Sequence, residues 1–183
     1  HSLGVLADGR KTAAHFGLTD EVDLIMGTFS KSFASIGGVV AGDAEVIDYV
    51  RHNARAQIFS ASIPPSAAAT VAAALEIIKE EPERTARVRE IGDRMREGYQ
   101  ELGFDTGNSQ TPIVPILIGD EMVTLRFWKA LFEAGVYVNP VVPPAVPPNQ
   151  ALFRTSYMAT HTDEQLNRVL DTFERVGTEM GVI

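Results

Sequence analysis

The chain has 183 residues, 45% of them hydrophobic and 22% charged, an ordinary globular composition and enough length to bury a real core. Acidic residues outnumber basic ones 24 to 16, and the formal charge of -8 excludes the broad positive field that nucleic acid or an anionic membrane surface requires, leaving small molecules as the expected partners. There is no cysteine, which excludes disulfide frameworks and thiolate metal sites, and His1, His15, His52 and His161 lack the close spacing of a zinc site.

The chain opens His1-Ser2-Leu3-Gly4-Val5-Leu6, without Met and without a turn or helix signal, which reads as a cut inside a longer protein. Its apolar stretches are broken well short of the roughly 20 residues of a membrane span, so a cytoplasmic location is expected. Val22 to Met26, ending at Gly27, and Gly38 to Gly42 read as two short buried strands. Between them lies the polar, hydroxyl-rich stretch Thr28-Phe29-Ser30-Lys31-Ser32, poor material for a core and good material for a site. Pro64 and Pro65 suit a first helical turn, Ser62 is read as its cap, and the Ala-rich run from Ser66 to Glu80 predicts a helix.

A domain boundary is placed at Pro82, giving domains over 1–82 and 83–183. The next helix carries Val88, Ile91, Met95, Tyr99 and Leu102 on one face and stops at Gly103. Then follow a strand over 112–118, a helix over 123–133 closed by Gly135, and strands over 136–139 and 153–158. Four prolines between Val141 and Pro148 predict a stiff, extended connection. The last helix opens with a capping box, Thr162 and Gln165, and buries Leu166, Val169, Leu170, Phe173 and Val176. Alternating strands and helices define an α/β terminal domain.

Lys31 is the residue with the most chemistry to offer. A lysine amine attacks carbonyls only when partly neutral, and desolvation between buried strands would lower its pKa from roughly 10.4. From spacing alone, a solvated loop lysine is the favoured reading, and the site is only a candidate. His15 and His52 read as surface residues, and His161 as a structural partner beside the Thr162 cap.

Four segments carry a family resemblance. Gly27-Thr28-Phe29-Ser30-Lys31-Ser32-Phe33, followed by Gly37-Gly38-Val39-Val40-Ala41-Gly42, is similar to the cofactor-lysine segment of the α-oxoamine synthases. His1-Ser2-Leu3-Gly4 resembles the end of that family's Asp-x-Ala-His-Ser-x-Gly motif, and Phe59-Ser60-Ala61-Ser62-Ile63-Pro64-Pro65 resembles its phosphate-contacting segment. Phe153 to His161 resembles its carboxylate-binding strand.

The resemblance implies the C-terminal part of the major domain of a fold-type I, aspartate aminotransferase-like transferase dependent on pyridoxal phosphate (PLP), followed by its small C-terminal domain. It implies that Lys31 carries PLP and later takes the α-proton of a bound amino acid, that Thr28 contacts the cofactor phosphate, and that His1 contacts the phenolic oxygen. It implies that Ser60 reaches the phosphate in the neighbouring subunit of a homodimer with shared sites, and that Arg154 holds the substrate carboxylate. No metal is implied. The aspartate that would pair with the pyridine nitrogen would stand three positions before His1, so this piece alone is expected to be inactive. The implied reaction condenses glycine, alanine or serine with an acyl-CoA, with decarboxylation to an α-amino ketone. An aminotransferase and a non-catalytic binding or assembly module stand as alternatives.

Overall fold

The computed structural model describes residues 3–6 and 12–183. The chain divides into two units, His1–Ala86 and Arg87–Ile183. In the first, a short helix α1 (Thr12–His15) precedes a hairpin in which β1 (Leu24–Thr28) pairs antiparallel with β2 (Gly38–Gly42), in the register Leu24 to Gly42 and Thr28 to Gly38. Both strands were expected to be buried. All five residues of β2 are exposed, and of β1 only Gly27 is buried. A two-stranded ladder has neighbours on one edge only, too few to cover either face.

Helices α2 (Ala44–Asn53) and α3 (Arg55–Ile58) follow, neither legible in the sequence pattern. In α2 only Ile47 and Val50 are even half-buried, so the apolar stripe that announces a helix is too narrow to stand out. The Ala-rich run forms α4 (Pro65–Glu80), with Pro65 in its first turn. Ser62 does not cap it. The N-cap is Pro64, which has no side chain to accept a hydrogen bond, and the proline at the first helical position lacks the N–H that a cap would otherwise serve.

The second unit is built on helix α5 (Pro82–Glu101), whose Ile91, Met95 and Tyr99 are fully buried. Beyond it, β3 (Ile113–Gly119), α6 (Glu121–Glu133), β4 (Asn139–Val141), β5 (Ala151–Ser156) and α7 (Asp163–Glu179) complete the fold. The sheet order is β3-β5-β4, antiparallel throughout, so β5 is inserted between the strands that α6 connects. Alternation along β3 and β5 sends Val114, Ile116, Phe153 and Thr155 into the core. There Phe173 of α7 is the hub of an aromatic cluster, its ring meeting Tyr99, Phe104, Phe127 and Phe153 at centroid distances of 5.0 to 6.2 Å.

Two readings are corrected here. The strand expected over 136–139 begins only at Asn139. The Val136 N–H closes the end of α6 on the Leu131 carbonyl, and the Val138 carbonyl accepts the Trp128 indole N–H, so these groups are committed before a ladder can use them. The proline-rich connection is not extended but folds into two turns, in which the Ala145 N–H donates to the Val142 carbonyl and the Gln150 N–H to that of Pro147. Thr162 forms the capping box with Gln165 at the start of α7, and among the described residues no helix is long and apolar enough to cross a membrane.

Candidate functional site

The hairpin loop carrying Lys31 is closed on itself. The Phe29 N–H donates to the Gly37 carbonyl, the Ser35 N–H to that of Phe29 and the Ala34 N–H to that of Lys31, with Ala34 in the left-handed region at φ 49°. The loop is anchored beneath by Phe33, 5% exposed, which packs edge-on to Phe29. It also rests on the segment leading into α4: the Ser35 hydroxyl donates to the Ala67 carbonyl, and a Cβ on Gly37, at φ +90°, would come within 2.5 Å of Ile63 Cγ2. Only glycine satisfies both the backbone angle and that approach. The Lys31 loop and the segment bearing Ser60 are thus packed together.

On this frame the Thr28 and Ser30 hydroxyls lie 2.8 Å apart, and the Ser30 N–H donates to Thr28 Oγ1. Thr28 therefore makes the local backbone bond expected of a strand-ending threonine. Its pairing with Ser30 brings a second hydroxyl to the same end of the loop. Lys31 and Ser60 are exposed, so the burial invoked to activate the lysine is not supplied by this hairpin, whose faces are open. The Thr28 and Ser30 hydroxyls and the Lys31 amine on one loop, with Ser60 on the adjoining segment, form a set of polar groups suited to a phosphorylated carbonyl compound. His1 lies outside the described residues.

Arg154 lies in the second unit, on β5 opposite Pro115 and Asn139. It lines a cleft of about 500 Å³ between the segment entering β4, the end of β5 and the first turns of α7, together with Tyr137, Asn139, Tyr157, His161 and Arg168. Beneath it Tyr157 Oη lies 3.1 Å from Tyr99 Oη and 2.9 Å from Thr155 Oγ1, and the Thr155 hydroxyl donates to the Val114 carbonyl. One phenol proton cannot serve two partners. With the Thr155 proton committed, Tyr157 donates to Thr155 and Tyr99 to Tyr157, so every hydroxyl proton is used. Burial pushes the Tyr157 phenol up to about 12 and raises that of Tyr99 well above its ordinary value.

His161 accepts the Met158 N–H at Nδ1, which leaves the ring proton of the neutral imidazole on Nε2. Arg168 and His161 flank Arg154 in this cleft without having been proposed as ligand contacts. The available signal was the spacing of Gln165 and Arg168, three residues apart on a polar face of α7 beside its apolar one. Among the described residues no group of three or more His, Asp or Glu could hold a metal ion.

The sequence pattern of the family described as aminotransferase class I and II matches residues 1–173, and the chain belongs to that family. Within it the chain is similar to α-oxoamine synthases. The chain is 52% identical over 174 residues to the serine palmitoyltransferase of Bacteriovorax stolpii, covering 94% of this chain and 41% of that protein. It is 42% identical over 184 residues to the 8-amino-7-oxononanoate synthase of Alkaliphilus oremlandii, covering 100% of this chain and 47% of the relative. A solved serine palmitoyltransferase with its PLP internal aldimine superposes with a TM-score of 0.94 at 34% identity, covering 100% of this chain and 47% of that one. The chain is thus an α/β homologue of the PLP-dependent α-oxoamine synthases, and it spans under half the length of the relatives it matches.

Proposed function

We propose that the protein containing this chain condenses a small amino acid (glycine, alanine or serine) with an acyl-CoA, releasing CoA and carbon dioxide to leave an α-amino ketone. The observation that carries this reading is the closed hairpin loop, which holds Lys31 exposed beside the paired Thr28 and Ser30 hydroxyls and against the Ser60 segment. When bound, PLP supplies the electron sink that stabilises a carbanion at the amino-acid α-carbon.

The chain's own residues do the rest. Lys31 anchors the cofactor and, once released, takes the proton from the α-carbon; Thr28 and Ser60 donate hydrogen bonds to the phosphate, Ser60 across the interface of a homodimer; and His1 contacts the ring oxygen. Arg154 offers two parallel donors to the substrate carboxylate, the geometry a guanidinium matches best. Division into domains at Pro82 is the arrangement this reading adopts.

The test is borohydride reduction of the full-length protein with PLP, followed by peptide mapping. The pyridoxyl group is expected on Lys31, and Lys31→Ala should abolish the cofactor's protein-bound absorption band. A pyridoxyl group on another lysine, or a band retained in Lys31→Ala, would rule the assignment out. An aminotransferase with the same lysine would return the amine to a keto acid without acyl-CoA-dependent release of free CoA. A non-catalytic module would take up no cofactor.

A further inference from the structure

The cleft around Arg154 contains more positive charge than one carboxylate needs. Its lining includes the two guanidiniums of Arg154 and Arg168 and no Asp or Glu. Among the described residues Arg84, Arg87, Arg94, Arg96 and Arg175 pair with acidic side chains, whereas Arg51, Arg55 and Arg126 do not; what sets the cleft apart is that two guanidiniums share it with no carboxylate between them. Among the described residues no carboxylate pairs with Arg154 or Arg168, and no protein group accepts a hydrogen bond from either guanidinium.

Arg168 is also given a seat. Gly135, at φ +87°, ends α6, and a Cβ there would lie 2.8 Å from Arg168 Nη2. The backbone angle favours glycine there, and without a Cβ the exposed Arg168 guanidinium can lie close against the backbone. A planar fork lying against bare backbone at the wall of a cleft, with its donors unspent, is suited to an oxyanion.

We propose that Arg168 holds a second acidic group, carried by the acyl donor, in the same cleft where Arg154 receives the amino-acid carboxylate; this rests on the condensation proposed above. The second oxyanion has two possible sources, a carboxylate at the far end of the acyl chain or a phosphate of the thioester carrier.

The experiment is calorimetric titration of full-length protein, loaded with PLP, as wild type, Arg168→Gln, Arg168→Lys and Arg154→Gln. Four titrants are used: a plain acyl-CoA, the same chain with a terminal carboxylate as its CoA thioester, the plain chain as its pantetheine thioester lacking phosphates, and serine. Binding is read without turnover, so a failure of the condensation reading shows separately, as wild type that binds thioesters but forms no amino ketone. In wild type the donor bearing the second oxyanion should bind about tenfold to a hundredfold more tightly than its counterpart without it. In Arg168→Gln that ratio should fall to near one, with Arg168→Lys between and serine affinity unchanged. Collapse of the carboxylated-to-plain ratio identifies the acyl carboxylate; collapse of the CoA-to-pantetheine ratio identifies the phosphate. Ratios unchanged in Arg168→Gln, no preference in wild type, or serine binding weakened in Arg168→Gln as in Arg154→Gln would each overturn the proposal, the last by showing that both arginines grip one carboxylate.

Discussion

Arg154 and Tyr157 lie three residues apart on one strand and its continuation, and their environments separate their roles. Arg154 is exposed in the cleft and pairs with no carboxylate among the described residues, whereas Tyr157 is spent on the hydroxyl chain to Thr155 and Tyr99. A charge-assisted pair contributes roughly 1.5 to 3 kcal/mol, so Arg154→Ala should weaken amino-acid binding by about one to two powers of ten. Titrating the cofactor absorbance with amino acid checks this. Arg154→Lys should recover only part, and equal dissociation constants in all three proteins would leave the carboxylate needing another partner.

Tyr157 gives a pH dependence instead. Its folded pKa is raised from 10.0 to about 12, so the neutral phenol is favoured in the fold. The stability it contributes is fully present below pH 10 and is lost as pH rises towards 12. Denaturant unfolding across that range should show stability falling steeply in wild type and less steeply in Tyr157→Phe. At neutral pH the same variant should be destabilised by about 1 to 3 kcal/mol, because it leaves Tyr99 without its acceptor.

At the level of elements, α7 is set by its first turn. The capping box satisfies two backbone donors, and Asp163 receives both Arg87 and Arg94 of α5, the Arg87 hydrogen bond holding its carboxyl below the usual range. Thr162→Ala should cost about 0.5 to 2 kcal/mol by chemical denaturation, and a loss within error would show that the ion pairs alone fix the helix start. Helices α5 to α7 were legible in the sequence because each buries one broad apolar stripe against the sheet. Helices α2 and α3 were not, for they bury too little to stamp a period on the sequence. The misplaced strand at 136–138 had the right alternation, with Val136 and Val138 buried, but its hydrogen bonds were taken by α6 and Trp128.

For the whole molecule, the shared-site proposal makes a prediction that neither unit makes alone. If Ser60 serves the neighbouring subunit, mixing Ser60→Ala chains with Lys31→Ala chains should give hybrid dimers with one site intact and one carrying both lesions. Cofactor occupancy should then fall on dilution through dimer dissociation. Occupancy independent of protein concentration would contradict a shared site.

Local chemistry fixed much of this in advance. The Lys31 segment could be found because glycines and hydroxyls around a lysine resist any core reading, and the Thr162 cap and the α5 and α7 faces are written in spacing of three and four residues. Tertiary structure alone decided the rest. Within this chain, which spans under half the length of its relatives, little among the described residues covers the faces of the hairpin carrying Lys31, and burial depends on what covers a strand and not on the strand's own residues. Tertiary structure also brought Arg168 of α7, and His161 of the turn before it, into the cleft of Arg154, because side chains distant in sequence become neighbours only when sheet and helix pack.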